Sequence, residues 1–175
     1  GNSWAFLQYI LGFRRLGFEV YYVEYLSATE CFDAAWKPAS FLDCANTRYF
    51  RALIDRFELA GRAGLLEWEG SNYVGLSHAD IAKIAPNIDL LINLSGGLHV
   101  KSILAAPHRR MYVDLDPGYT QVWQEEYGID MKLRDHDVYV TVGLNLGMPE
   151  CPFPTCGIDW QTTLPPVVAT EWTTN

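Results

Sequence analysis

Residues 88–97, IDLLINLSGG, decide how the chain is read. An almost unbroken apolar run that ends on a Ser-Gly-Gly turn is the pattern of a strand inside a parallel sheet, covered on both faces, because alternation is lost when neither face meets water. Immediately downstream, VKSILAA (100–106) has helical spacing, RRMYVDLDPG (109–118) is strand-like, QVWQEEYG (121–128) is helical with Thr120 as its expected cap, and HDVYVTVGLNLG (136–147) supplies a further strand. Strands alternating with short helices predict an α/β fold: a Rossmann-like, open, mostly parallel sheet with helices on both faces.

Upstream the same alternation continues. In residues 4–16, Phe6, Leu7, Ile10, Leu11 and Phe13 recur at helical spacing, leaving Gln8, Arg14 and Arg15 for the polar face, and Gly17 ends the helix. FEVYYVEYL (18–26) reads as a buried strand. TRYFRALIDRFEL (47–59) is a second amphipathic helix, GLLEWEG (64–70) holds a short strand, and SHADIAKIAP (77–86) is a helix with Ser77 as N-cap, Asp80 three residues on and Pro86 as terminator. The order loop, helix, strand at residues 1–26 is that of a strand–loop–helix–strand unit without its first strand, so a chain cut at both ends is expected. Five of nine prolines fall between Pro149 and Pro166, where no period holds. The expected organisation is therefore a domain over 1–147 and a connector over 148–175.

Composition limits the partners. Among 175 residues, 13 Lys+Arg face 21 Asp+Glu, a net charge of −8, which argues against nucleic acid. The sequence contains no apolar run long enough to predict a membrane span and no visible signal peptide, and a cytoplasmic location is the expectation. Of the four cysteines only Cys151 and Cys156, in CPFPTC, are close, and that is not the CxxC spacing of zinc or redox sites. Reduced thiols and no resident metal or cofactor are expected.

The stretch FRRLGFEV (13–20), with Gly1-Asn2 before it and Gly17-Phe18-Glu19-Val20 at matching spacing, resembles the start of the N-terminal half of GT-B glycosyltransferases. YVDLDPGYTQVW (112–123), PTCGIDW (154–160) and LPPVV (164–168) are similar to uncharacterised glycosyltransferase-like proteins of that class. The resemblance implies an acceptor-side domain of a metal-independent enzyme moving a sugar from a nucleotide-sugar donor to an acceptor. It implies that the donor half lies beyond Asn175 and that residues 1–175 alone do not turn over. Many such enzymes carry a first-loop histidine as general base with an acidic partner after a later strand. Here those places hold Asn2, an amide that cannot take a proton, and Asn93 to Gly97.

His99 and Asp116 are the candidate catalytic residues, His99 because it follows the Gly-Gly turn and Asp116 because it sits where a strand gives way to a helix. Candidate acceptor contacts are Gly1, Asn2, Ser95, Gly96, Gly97, Asp114 and Gln121. A tight turn alone also explains Gly96-Gly97. Two alternatives stand beside the enzyme: a noncatalytic α/β ligand-binding domain, and a metal-dependent transferase using Asp114-Leu115-Asp116 as a DxD motif. His78 and His108 read as solvated, and His136, between Asp135 and Asp137, as a charged turn.

Overall fold

The computed structural model describes residues 2–172. It is mixed α/β and divides into two compact units, residues 18–84 and residues 2–17 with 85–172.

The smaller unit (18–84) contains β1 (Tyr22–Leu26), α2 (Ala45–Arg56), β2 (Ala63–Glu67), β3 (Tyr73–Gly75) and α3 (His78–Ile84). β1 and β2 are parallel, Tyr22 opposite Ala63 and Leu26 opposite Glu67, and β3 returns antiparallel with Leu65 opposite Val74. Ala63, Leu65 and Leu66 of β2 are buried together with Phe50 and Leu53 of α2, so the apolar stripe read in 47–59 is the core face of that helix. Ser77 and Asp80 form the expected box before α3: the Ser77 hydroxyl accepts from the Asp80 amide (3.2 Å) and the Asp80 carboxylate accepts from the Ser77 amide (3.0 Å).

The larger unit is built on an all-parallel sheet, β4 (Leu90–Leu94), β5 (Arg109–Asp114), β6 (Val138–Thr141) and β7 (Gln161–Thr162), in that spatial order. It is flanked by helices: α1 (Asn2–Arg15), α4 (Lys101–Leu104) and α5 (Tyr119–Glu125) belong to the same unit. Asn93, Tyr112 and Tyr139 stand in register across three strands. Tyr112 is fully buried and packs edge-on to Trp160 (centroids 6.1 Å) and His136 (5.3 Å), with Leu133 and Leu146 closing the cluster.

Three local expectations change. The proline-rich tail supplies β7, whose Gln161 and Thr162 pair with Val140 and Thr141, and places Trp160 in the core. Gln8, assigned to the polar face of the first helix, is 5% exposed, and its Oε1 accepts from the Val168 amide at 2.6 Å. The tail thus lies along α1, where Trp4 meets Trp172 (5.8 Å) and Arg15 pairs with Glu171 (2.7 Å). Thr120 does not cap its helix. Gly118 occupies the N-cap, its amide donating to Gln121 Oε1 (2.7 Å), and the Thr120 hydroxyl turns inward.

Candidate ligand site at the carboxyl end of the parallel sheet

In open parallel sheets ligands bind beyond the carboxyl ends of the strands, where loops are free of ladder constraints. Three loops meet that description here: 95–100 after β4, 115–118 after β5 and 142–147 after β6.

Asp114, the last residue of β5, organises two of them. It is fully buried. One carboxylate oxygen accepts from the Thr120 hydroxyl (2.7 Å) and the Asp116 amide (3.1 Å); the other accepts from Gln121 Nε2 (2.9 Å) and the Thr141 hydroxyl (2.9 Å). Thr141 Oγ1 in turn accepts from the Gly143 amide (3.0 Å). One carboxylate therefore ties the end of β5, the start of α5 and the end of β6 into a single network, the condition under which a buried charge is tolerated. Gln121, also fully buried, uses its side-chain oxygen on Gly118 and its amide on Asp114. Cys156 donates to the Gln121 carbonyl (3.4 Å), and burial pushes its thiol up to about 11.

This network positions a cleft of about 440 Å³ lined by Pro117, Gly118, Gly143, Leu144, Asn145, Met148, Glu150 and Phe153, among others. Gly143 is required at its wall, because an added Cβ would stand 2.5 Å from Pro117 Cβ. Phe153 lies over Gly118, within 3.2 Å of where a Cβ would be. Besides Cys151, the lining residues with polar side chains are Asn145 and Glu150. Neither was singled out in the sequence, because both follow the last long strand, where no period marks them. A cleft of about 530 Å³, lined by Gln124, Gly128, Asp130, Arg134, Tyr139 and Cys156 among others, is built from the segments before β6 and β7, from Tyr139 near the start of β6 and from the end of α5. It is not at the ligand end of the sheet.

The sequence candidates distribute as follows. Asp114 and Gln121 build the cleft from beneath. Asp116 is exposed on the loop beside Pro117, and His99 is half-buried; neither lines the cleft. Ser95 accepts from the Leu115 amide (3.3 Å), linking the first two loops. Gly96 is buried at φ +70°, and a Cβ there would lie 2.9 Å from the Met131 carbonyl oxygen. Gly97 is exposed and donates to Leu94 O (3.0 Å). The helix after this turn, α4, is four residues long, too short to gather a helix dipole. Gly1 lies outside the described residues, as does the side chain of Asn2.

Asn93 closes the first loop. Its side-chain oxygen accepts from the Leu98 amide (2.9 Å), which fixes the amide orientation, and its Nδ2 donates to the Leu98 carbonyl (2.8 Å) and to His136 Nε2 (3.0 Å). Because an amide nitrogen only donates, His136 Nε2 must accept, and the ring proton sits on Nδ1. That Nδ1 is buried against the Leu133 and Arg134 carbonyls without an aligned hydrogen bond. The histidine expected as a charged turn is thus half-buried and neutral. Burial first, and then the Arg110 charge, hold its pKa below the ordinary 6.5, while the nearby carbonyls and Asp135 pull the other way.

A pH dependence follows. The unfolded chain takes up the His136 proton before the folded chain does, so stability from this group is complete above about pH 6.5 and is lost as pH falls toward the lowered folded value. His136→Gln is expected to flatten that part of the stability profile between pH 7 and 5, measured by urea unfolding at each pH. An unchanged slope would show that His136 does not carry it.

Among the described residues, no group of three or more His, Cys, Asp or Glu side chains is arranged to hold a metal ion. Compared with known proteins, the chain matches no family model, no curated protein and no solved structure.

Proposed function

We propose that the cleft beyond β5 and β6 receives the acceptor of a GT-B-like sugar transfer, in which a sugar passes from a nucleotide-sugar donor to an acceptor hydroxyl. The observation that carries this reading is the lining itself: an aromatic ring (Phe153), an amide (Asn145) and a carboxylate (Glu150) at the carboxyl end of a parallel sheet. A sugar ring offers an apolar face to an aromatic side chain and hydroxyls to amides and carboxylates. In this reading Glu150 binds the acceptor hydroxyl and accepts its proton as the donor sugar departs from its nucleotide, a role available to a carboxylate within hydrogen-bond reach. His99 and Asp116 remain the candidates on the neighbouring loops.

The arrangement of Asp114 speaks against the DxD alternative. Both of its oxygens are engaged by four protein donors in a buried setting, so a cation could reach it only by dismantling the network that shapes the loops. No helix among the described residues is long and apolar enough to cross a membrane.

The reading is tested by titrating the chain with a panel of simple glycosides. Phe153→Ala is expected to weaken the best of them by about tenfold, the loss of one aromatic contact of roughly 1.5 kcal/mol, and Glu150→Gln is expected to weaken it less while removing the proton acceptor. Binding confined to ligands without sugar hydroxyls would favour the noncatalytic ligand-binding alternative.

A further inference from the structure

The smaller unit contains a pair of thiols that the cleft does not use. Cys31 and Cys44 are 2% and 0% exposed and both are free; they are electrostatic neighbours, while the Cys31 thiol donates to the Ser27 carbonyl (3.4 Å) and the Cys44 thiol to the Phe41 carbonyl (3.3 Å). The chain between them is folded so as to bring them together: Ala39 donates to the Cys31 carbonyl (2.9 Å), Ala45 to the Phe32 carbonyl (2.7 Å), Cys44 to Ser40 (3.0 Å), and Phe32 bridges to Pro38. Sequence spacing could not show this, since twelve intervening residues match no metal or redox motif.

We propose that Cys31 and Cys44 are a dithiol that closes reversibly to an intrachain disulfide, making the 31–44 loop a redox-sensitive clamp. The two sulfurs are not equivalent. Cys44 is the N-cap of α2, a twelve-residue helix, and its sulfur accepts from the Thr47 amide (3.4 Å). Burial works to raise its pKa, but the Thr47 side chain and amide, the Cys31 thiol and the Asn46 amide outweigh it and leave the pKa lowered. Cys31 is pushed up to about 11, by burial first and then by the neighbouring Cys44. Cys44 is therefore the attacking thiolate and Cys31 the resolving thiol.

With a small-molecule disulfide as oxidant, the Cys44 thiolate attacks one sulfur, forms a mixed disulfide and releases one small thiolate, which takes up a proton. Cys31 then gives up its proton, attacks the Cys44 sulfur and expels the second small thiol. Two protein S–H bonds and one small disulfide become one protein disulfide and two small thiols. Because both sulfurs are buried, the oxidant enters when the loop opens, and the product holds that loop shut.

The test is equilibration of the full chain in a glutathione buffer, followed by alkylation under denaturing conditions and tryptic mass spectrometry. Cleavage after Arg15 and Arg48, with Lys37 protected by Pro38, leaves both cysteines in one peptide, Leu16–Arg48. In oxidised glutathione this peptide is expected unalkylated and lighter by two hydrogens, in the unsubstituted chain and in Cys151→Ser/Cys156→Ser alike. The oxidised chain is expected to melt at least about 5 °C higher, since a closed loop restrains the unfolded state. Cys31→Ser is expected to stop at a glutathione adduct on Cys44. Recovery of Cys31 and Cys44 both alkylated, or a lasting glutathione adduct on either in the unsubstituted chain, would overturn the proposal, whether or not the Cys31 variant folds.

Discussion

Asp114→Ala is expected to destabilise the parallel-sheet unit by at least about 3 kcal/mol, because it strands several buried donors at once and each hydrogen bond to a charged group is worth about 1.5–3 kcal/mol. The Thr120 and Thr141 hydroxyls and the Gln121 amide all point at this carboxylate, and each of these residues is 1% exposed or less. Water does not reach them to compensate. Asp114→Asn keeps the volume and one acceptor oxygen but turns an NH₂ toward donors, so an intermediate loss is expected. Hydrogen exchange of the β5 and β6 amides under increasing urea reports this unit alone. A loss below about 1 kcal/mol for the alanine variant would show that the loops hold themselves without the carboxylate.

Tyr112→Ala is the second large effect, an expected loss of about 3–5 kcal/mol, the range for removing a large buried aromatic side chain. Its ring is fully buried between Trp160, Tyr139 and His136, and its hydroxyl donates to the Met131 carbonyl at 3.0 Å. Removing the ring leaves a cavity bordered by Tyr139 of β6 and by His136, Leu133, Leu146 and Trp160 from the flanking loops. Tyr112→Phe removes only the hydroxyl and is expected to cost about 1 kcal/mol. The difference between the two variants separates packing from hydrogen bonding. Equal losses would place the whole contribution in the hydroxyl.

The alternation of strands and helices was legible because most of these elements carry their own period. The stripe Phe50, Leu53 records burial directly in residue spacing, whereas the apolar run Leu90–Leu94 marks a strand but not one covered on both faces: Leu90 is exposed and the buried residue of the strand is Asn93. β3 and β7 were not legible: each is three residues or fewer, too short for a period, and β7 is held by pairing with β6 and by Trp160 beside it. Gln8 was misassigned because amphipathic reading treats every amide as solvent-facing, whereas this one is occupied by a backbone donor 160 residues away.

The site shows the same division. Strand ends pointed to loops that border the cleft, and Asp114, expected as an acceptor contact, is occupied instead by Thr120, Gln121, Thr141 and the Asp116 amide. What spacing could not tell is whether its carboxylate faces a ligand or its own fold, since that depends on where Thr120, Gln121 and Thr141 turn. Asn145, Glu150 and Phe153 fall in a stretch whose turns follow from prolines and glycines rather than from hydrophobic order, so their convergence is a product of tertiary structure.

The proposed function places a sugar-bearing acceptor at the carboxyl end of β5 and β6. The most direct measurement is amide chemical-shift mapping during titration with simple glycosides. Saturable shifts are expected, concentrated at Gly118, Gly143, Asn145, Glu150 and Phe153, with the residues lining the other cleft, Gly128, Asp130 and Arg134, unmoved. Saturable shifts at that second group, or none at the first with any glycoside, would contradict it.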